Sequence, residues 1–180
     1  EGDGYQWVAT QNPKGKTDET VTPPVNTTYG DEYELPEPQP VTISAEKQTV
    51  VTYYYKRKVH KLTFEPENGE KTQTVEGRVG ATLNVKQPVR KGYTFTGWTP
   101  ELPEKIPNED VTYQAQWRKN RYLVQFVSEG TVLKEYTLSY GDAIPAQEEP
   151  TREGYTFVSW DKNVPDTVSD ENVKNGKLVF

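Results

Sequence analysis

The sequence predicts a mostly β fold, α+β at most, built as an array of small tandem modules. Three observations carry that prediction. One phrase occurs twice, as Gly92-Tyr93-Thr94-Phe95-Thr96-Gly97-Trp98 and as Gly154-Tyr155-Thr156-Phe157-Val158-Ser159-Trp160, 62 positions apart. Self-similarity at a fixed period sets the architecture before any local reading does. Several short segments alternate apolar and polar residues, the pattern of strands with one face on a core and one in water. The composition agrees, with 12 Tyr, 5 Phe and 4 Trp as the large side chains and 14 Pro and 13 Gly to punctuate short strands.

The surroundings of the phrase repeat as well. Phe64 answers to Phe126 and Pro88 to Pro150 at the same offset, while Gly80 answers to Gly141 at an offset of 61. Three modules are expected: residues 1–57 as a degenerate or divergent β repeat, 58–119 as the clearest unit, and 120–180 as a second copy. A module of that size buries only roughly 60% of its unfolded surface, so its core must be dense in large side chains. Each aromatic can supply on the order of 150–250 Å² of burial.

Residues 1–57 are the least regular, and their opening at Glu1 in mid-pattern reads as an excised fragment. Tyr5-Gln6-Trp7-Val8-Ala9-Thr10 reads as a strand, and Asn12-Pro13 and Lys14-Gly15 as turns. Thr20-Val21-Thr22-Pro23-Pro24 cannot be a central strand, because each proline removes a ladder donor. Tyr29-Gly30-Asp31 anticipates the later Tyr140-Gly141-Asp142. Glu34, Pro36, Glu37, Pro38 and Pro40 predict an extended loop, and Val50-Val51-Thr52-Tyr53-Tyr54-Tyr55 predicts a strand. The segment lacks the repeated phrase. It is either a degenerate repeat or one that opens with the tail of an upstream unit at Gly4-Tyr5-Gln6-Trp7.

In residues 58–119, Leu62 and Phe64 alternate with Lys61 and Thr63 to give a strand with one buried face. Pro66-Glu67-Asn68-Gly69 is a turn, and a return strand is expected from Lys71 to Val79, ending at Gly80. The Pro88 connection has room for one short helix. The phrase strand from Tyr93 to Trp98 follows, then a stiff loop with Pro100, Pro103 and Pro107. Val111-Thr112-Tyr113-Gln114-Ala115-Gln116-Trp117 closes the module with strict alternation. Residues 120–180 repeat the plan: Tyr122, Val124 and Phe126 on one strand face, Glu129-Gly130 as the turn, a return from Leu133 to Tyr140, and the phrase strand at Tyr155-Thr156-Phe157. The last strand, at Lys177-Leu178-Val179-Phe180, is expected to be truncated. The predicted structural core is Leu62, Phe64, Tyr93, Phe95, Tyr113, Trp117, Val124, Phe126, Tyr155 and Phe157.

Net charge is −6 overall, and by segment −4, +2 and −4. An acidic chain without a basic stripe argues against nucleic acid as a partner. No apolar run approaches the length of a bilayer span, so no membrane insertion is expected. With neither Cys nor Met, the modules must hold by packing alone, without disulfides or thiolate zinc sites. That absence suits an exported bacterial repeat better than an animal ectodomain.

Candidate chemistry is sparse. His60, the only histidine, sits among Lys58 and Lys61 at a strand start, where an exposed spacer is a simpler reading than a general base. No nucleophile elbow, phosphate-binding loop or paired-histidine motif is present. The pairs Glu101 with Glu104 and Asp161 with Asp166 lie in loops where carboxylates are usually solvated. Asp161-Lys162-Asn163, Asp166 and Ser169-Asp170-Glu171-Asn172 hold oxygen ligands without the spacing of a known calcium loop. No cofactor is expected. Trp98 and Trp160 fall on the opposite strand parity from Tyr93 and Phe95, or Tyr155 and Phe157. Either the strand bends at Gly97 or Ser159 and the indole joins the core, or it stands out as a stacking platform for a sugar. Packing is the preferred reading in so small a module. Tyr54, on the polar parity of its strand, is the further ligand-contacting candidate. Lysines near Asn or Asp leave room for an intramolecular isopeptide bond, as in some Gram-positive surface domains.

The strand type Tyr122-x-Val124-x-Phe126, the Tyr140-Gly141 corner, the phrase Pro150-Thr151-Arg152-Glu153-Gly154-Tyr155-Thr156-Phe157, Trp160, and the closing Val111-Thr112-Tyr113-x-Ala115-x-Trp117 together resemble the Listeria–Bacteroides repeat, also known from internalin B-repeats. The resemblance covers roughly residues 58–180. It implies a small β-grasp-like module in a secreted or wall-attached bacterial protein, and it transfers no catalytic residue. Thr49-Val50-Val51-Thr52-Tyr53-Tyr54-Tyr55-Lys56 looks somewhat like the closing strand of mucin-binding-protein repeats. The function so implied is an extracellular stalk or adhesive segment, not an enzyme, engaging a host or matrix protein or glycan as a monomer. The short junctions Lys56-Arg57-Lys58 and Lys119-Asn120-Arg121 are expected to keep the array elongated. The alternative, from a different class, is a carbohydrate-binding accessory module of a secreted polysaccharide-acting enzyme.

Overall fold

The computed structural model describes residues 6, 8–171 and 173–180. Among them the fold is mostly β, with eleven strands and no helix: β1 (Thr20–Val21), β2 (Tyr33–Glu34), β3 (Val41–Thr42), β4 (Lys56–Arg57), β5 (Val59–Glu65), β6 (Gln73–Arg78), β7 (Tyr93–Thr99), β8 (Val111–Lys119), β9 (Arg121–Ser128), β10 (Thr131–Ser139) and β11 (Lys177–Val179). The helix for which the Pro88 connection had room does not form; residues 84–90 run without regular structure. Proline there disfavours a helical conformation at Gln87, and the Asn68 amide donates to the Val89 carbonyl at 2.9 Å, tying the segment to the hairpin turn. Residues 59–119 supply a four-stranded sheet in the order β6-β5-β8-β7, and residues 121–179 a three-stranded sheet in the order β10-β9-β11.

The chain divides into two compact units. The first comprises Glu1–Leu62, Thr74–Asn84 and Pro103–Val111; the second comprises Thr63–Gln73, Val85–Leu102 and Thr112–Phe180.

In the first unit, β1 pairs with β3 and β2 with β4, each ladder only two residues long. The strand expected at Tyr5 to Thr10 falls largely outside the described residues, and Val8, Ala9 and Thr10 form none. Val50 to Tyr55 was expected as a strand and is not one; pairing begins only at Lys56. A strand needs a donor-bearing partner, and the neighbouring segments carry Pro23, Pro24, Pro36, Pro38 and Pro40. The tyrosines hold these loops by their hydroxyls instead. Tyr53 donates to the Pro23 carbonyl at 2.8 Å and accepts from Gln39 N–H at 3.1 Å, and Tyr55 accepts from Asn26 N–H at 2.7 Å. Gly80 opens a hydrogen-bonded corner: its N–H donates to Ile106 O at 2.8 Å, Ile106 N–H to Ala81 O at 2.9 Å, and Leu83 N–H to Glu104 O at 3.0 Å. Val79, Leu83 and Ile106 are buried there.

The second unit repeats that corner one module on. Gly141 N–H donates to Val168 O at 2.7 Å, Val168 N–H to Asp142 O at 2.9 Å, and Ile144 N–H to Asp166 O at 3.0 Å. β9 and β10 form a hairpin closed by Glu129 and Gly130, whose φ values of 50° and 80° are the pair a type I′ turn demands. β11 adds to β9 in parallel, Leu178 opposite Val124. Tyr122, Val124, Phe126, Ile144, Val168, Leu178 and Phe180 form one buried cluster. β10 lies at an edge and carries a bulge at Leu133, a common device for making such an edge a poor template for another strand. The phrase strand expected at Tyr155 to Phe157 is missing. Its counterpart β7 pairs with β8, whereas β11 pairs with β9 and leaves residues 156–160 without a ladder among the described residues.

Candidate functional site

The aromatic phrase is the feature that both copies share, and in the first copy a single insertion organises it. In β7, Phe95 lies opposite Trp117 and Gly97 opposite Gln116, so Thr96 is an extra residue. Such a bulge shifts side-chain parity by one. Trp98, opposite Ala115, therefore lands on the same face as Phe95. Gly97 has a φ of 140°, a conformation that favours glycine. The indole of Trp98 meets Phe64 edge-on at 5.2 Å and Phe95 at 5.4 Å. In the second copy Trp160 meets Phe126 at 5.0 Å and Phe157 at 5.3 Å with the same tilt. Both indoles thus touch core rings while remaining half-buried.

The other sequence-predicted residues fall into three groups. Leu62, Phe64, Tyr113, Val124 and Phe126 are fully buried. Tyr93, Phe95, Trp117 and Phe157 are half-buried, and Trp117 donates its indole N–H to the Pro66 carbonyl at 2.9 Å. Tyr155, expected in the core, is instead 67% exposed. The reason is visible in its twin. Tyr93 is flanked by the Tyr140 ring at 6.3 Å and paired with Lys119, whereas residues 156–160, which follow Tyr155, form no ladder. Tyr54 is 57% exposed.

One repeated element lay unread in the sequence. Arg90 stacks over the Tyr93 ring at 4.1 Å and donates to the Glu67 carbonyl at 2.9 Å. Arg152 stacks over Tyr155 at 3.9 Å and pairs with the Glu129 carboxylate. The readable signal was an arginine three residues before the tyrosine in both copies. Around Arg152 and Tyr155 lies a recess of about 450 Å³ lined also by Pro150 and Phe157.

Of the titratable candidates, His60 is held by its neighbours. His60 Nδ1 lies 2.9 Å from Asp110 Oδ1 and its Nε2 lies 3.3 Å from Asn108 Oδ1. Asp110 also accepts Lys61 N–H at 2.9 Å, and that bond, with the His60 bond next, holds its carboxyl below the usual range. Glu101, Glu104, Asp161 and Asp166 are exposed. Among the described residues no group of three or more His, Cys, Asp or Glu is placed to hold a metal ion. Asp170, a possible calcium ligand by sequence, accepts Gly92 N–H at 2.9 Å and the Tyr122 hydroxyl. Burial, and then the bond to Asp170, raise the Tyr122 phenol above its ordinary value. Asn172 lies outside the described residues.

Comparison with known proteins places this geometry in context. A family model described as the Listeria-Bacteroides repeat domain matches residues 60–116 and 122–176. Internalin H of Listeria monocytogenes is 33% identical over 94 residues, covering 46% of this chain and 17% of that protein. A protein of Evansella cellulosilytica, named provisionally as a membrane protein, is 28% identical over 112 residues, 57% of this chain and 17% of its own length. A second from that organism, named provisionally as a Gly-rich membrane protein, is 37% identical over 84 residues, 40% of this chain and 10% of its own length. The chain thus spans less than a fifth of each of these relatives.

Proposed function

The chain belongs to the Listeria-Bacteroides repeat family, and from that premise we propose that it is a structural and adhesive repeat segment of a bacterial surface protein, acting outside the cell and without catalytic activity. The observation that carries the reading is the duplicated cluster of Phe64, Phe95 and Trp98 with Phe126, Phe157 and Trp160. The same chemistry is used twice for the same end, to give a small sheet a core without disulfides. Repetition of a packing motif extends a chain outward in units that contact mainly their neighbours. Relatives named as an internalin and as membrane proteins fit that setting. The ring nitrogens of His60 face Asp110 and Asn108, which leaves the one histidine poorly placed to serve a substrate.

The test is display. An epitope placed beyond this segment on a wall-anchored carrier should be reached by antibody on intact bacteria, and removing residues 58–180 should hide it. An unrelated spacer of equal length should restore access. It should fail to restore attachment to host cells or matrix if the segment is itself adhesive. Hydrolysis of a polysaccharide by the chain, or unchanged access and attachment after its removal, would overturn the proposal.

A further inference from the structure

Between β8 and β9 a single residue, Asn120, joins the two repeats, and all the groups around it lie in the second compact unit. Asn120 N–H donates to Gly92 O at 2.9 Å, and its carbonyl accepts Tyr140 N–H at 2.9 Å. Its side-chain oxygen accepts the Thr94 hydroxyl at 2.7 Å. The linker is thus bonded to the earlier repeat on one side and to the later one on the other. On the far side of the turn, Gly92 N–H donates to Asp170 Oδ2 at 2.9 Å, while the other oxygen of that carboxylate accepts the Tyr122 hydroxyl. Both polar groups of Gly92 are therefore taken up at the junction, and Gly92 is buried.

Shape agrees with the hydrogen bonding. A Cβ built on Gly92 would strike the Tyr140 ring, so only glycine lets that ring lie against the backbone. Tyr140 also meets Tyr93 at 6.3 Å. The Lys91–Glu171 pair at 3.5 Å crosses the same junction, but both partners are well exposed and add little.

We propose that the Gly92 turn is a docking site for the Tyr140 corner and the Asp170 carboxylate of the following repeat, that this makes the junction a fixed joint, and that Asp170 is its positioning residue. Without a specific interface, relative motion is the ordinary state of linked modules. Here one carboxylate anchors its own repeat through Tyr122 and holds the preceding repeat through a backbone amide. The second repeat supplies an internal reference. Gly154 has a φ of 76° against 79° for Gly92, and Tyr155 N–H donates to Arg152 O at 3.1 Å as Tyr93 N–H does to Arg90 O at 3.0 Å. Yet a Cβ on Gly154 would meet nothing within 4 Å. The turn is the same, and among the described residues no ring lies against it.

Spin labels on the full chain at Gln116 and Glu149, both exposed, test the joint by their distance distribution. One narrow peak is expected. Gly92→Ala and Asp170→Ala should roughly double its width, while amide spectra show both repeats still folded. Asp170→Asn, whose amide oxygen can still accept Gly92 N–H, should keep the peak narrow. Gly154→Ala carries the same backbone strain without the clash and should also leave it narrow. Should Asp170→Ala unfold the second repeat through loss of the Tyr122 bond, Gly92→Ala decides, because it leaves that bond alone. A broad distribution in the unaltered chain, an unchanged width in Gly92→Ala, or broadening in Asp170→Asn would overturn the proposal.

Discussion

Trp98 lies edge-on to Phe64 at 5.2 Å although the strict alternation of a strand would send the two phrase aromatics, Phe95 and Trp98, to opposite faces. One extra residue in β7 reconciles them, since after the bulge Trp98 and Phe95 sit over Ala115 and Trp117, two residues apart on β8. The same spacing of three separates Phe157 from Trp160, and there too the indole meets a core ring, Phe126, at 5.0 Å.

Trp98→Ala and Trp160→Ala should each lower stability by about 2–4 kcal/mol, less than the about 3–5 kcal/mol of a fully buried ring because both indoles are half-buried. Urea unfolding should show a lower midpoint with an unchanged slope. Full stability in either variant, together with lost binding to a glycan array, would instead make the indole a sugar platform.

The bulge itself can be probed without touching a ring. Gly97 at a φ of 140° has nothing within 4 Å of where a Cβ would stand, so Gly97→Ala costs conformational strain alone, about 1–3 kcal/mol. Deleting Thr96 removes the bulge and leaves Phe95 and Trp98 two positions apart on one face, so it should cost less than Trp98→Ala. Tryptophan emission should keep its position in the deletion variant, and a shift to the red would show that the bulge, not the spacing alone, holds the indole in place.

Much of residues 58–180 was legible because its determinants are local: alternation in β5, β8 and β9, and turn chemistry at Glu129-Gly130. The tyrosine run ending at Tyr55 misled because β propensity describes a half-buried surface and not the presence of a partner. Proline-rich neighbours supplied none. Tyr155 misled for a related reason. Its sequence is that of Tyr93, but burial there depends on Tyr140 and Lys119, far along the chain. Asp170 looked like a solvated loop acid, since nothing local ties it to Gly92, 78 positions away.

Identical tyrosines should therefore differ in cost. Tyr155→Ala removes an exposed ring and its stacking with Arg152, worth about 0.5–1 kcal/mol. Tyr93→Ala removes a half-buried ring flanked by Tyr140 and should cost about 2 kcal/mol or more. Denaturant titration of both variants compares them directly. Equal losses would mean that Tyr155 is covered in solution.

Acid should find Asp110. Its carboxyl titrates below the usual carboxylate range because Lys61 N–H and the His60 ring bond to its charged form. A group whose folded pKa is depressed contributes stability that is fully present above the unfolded carboxylate range and is lost as pH falls through the folded value. The carboxylate is exposed, so the effect is small and screened by salt. Asp110→Asn should be less stable than the unaltered chain at neutral pH, and the two should converge as pH falls below about 4. Urea midpoints taken from about pH 7 down to about pH 2 measure the convergence. Parallel curves over that whole window would remove Asp110 from the account of acid stability.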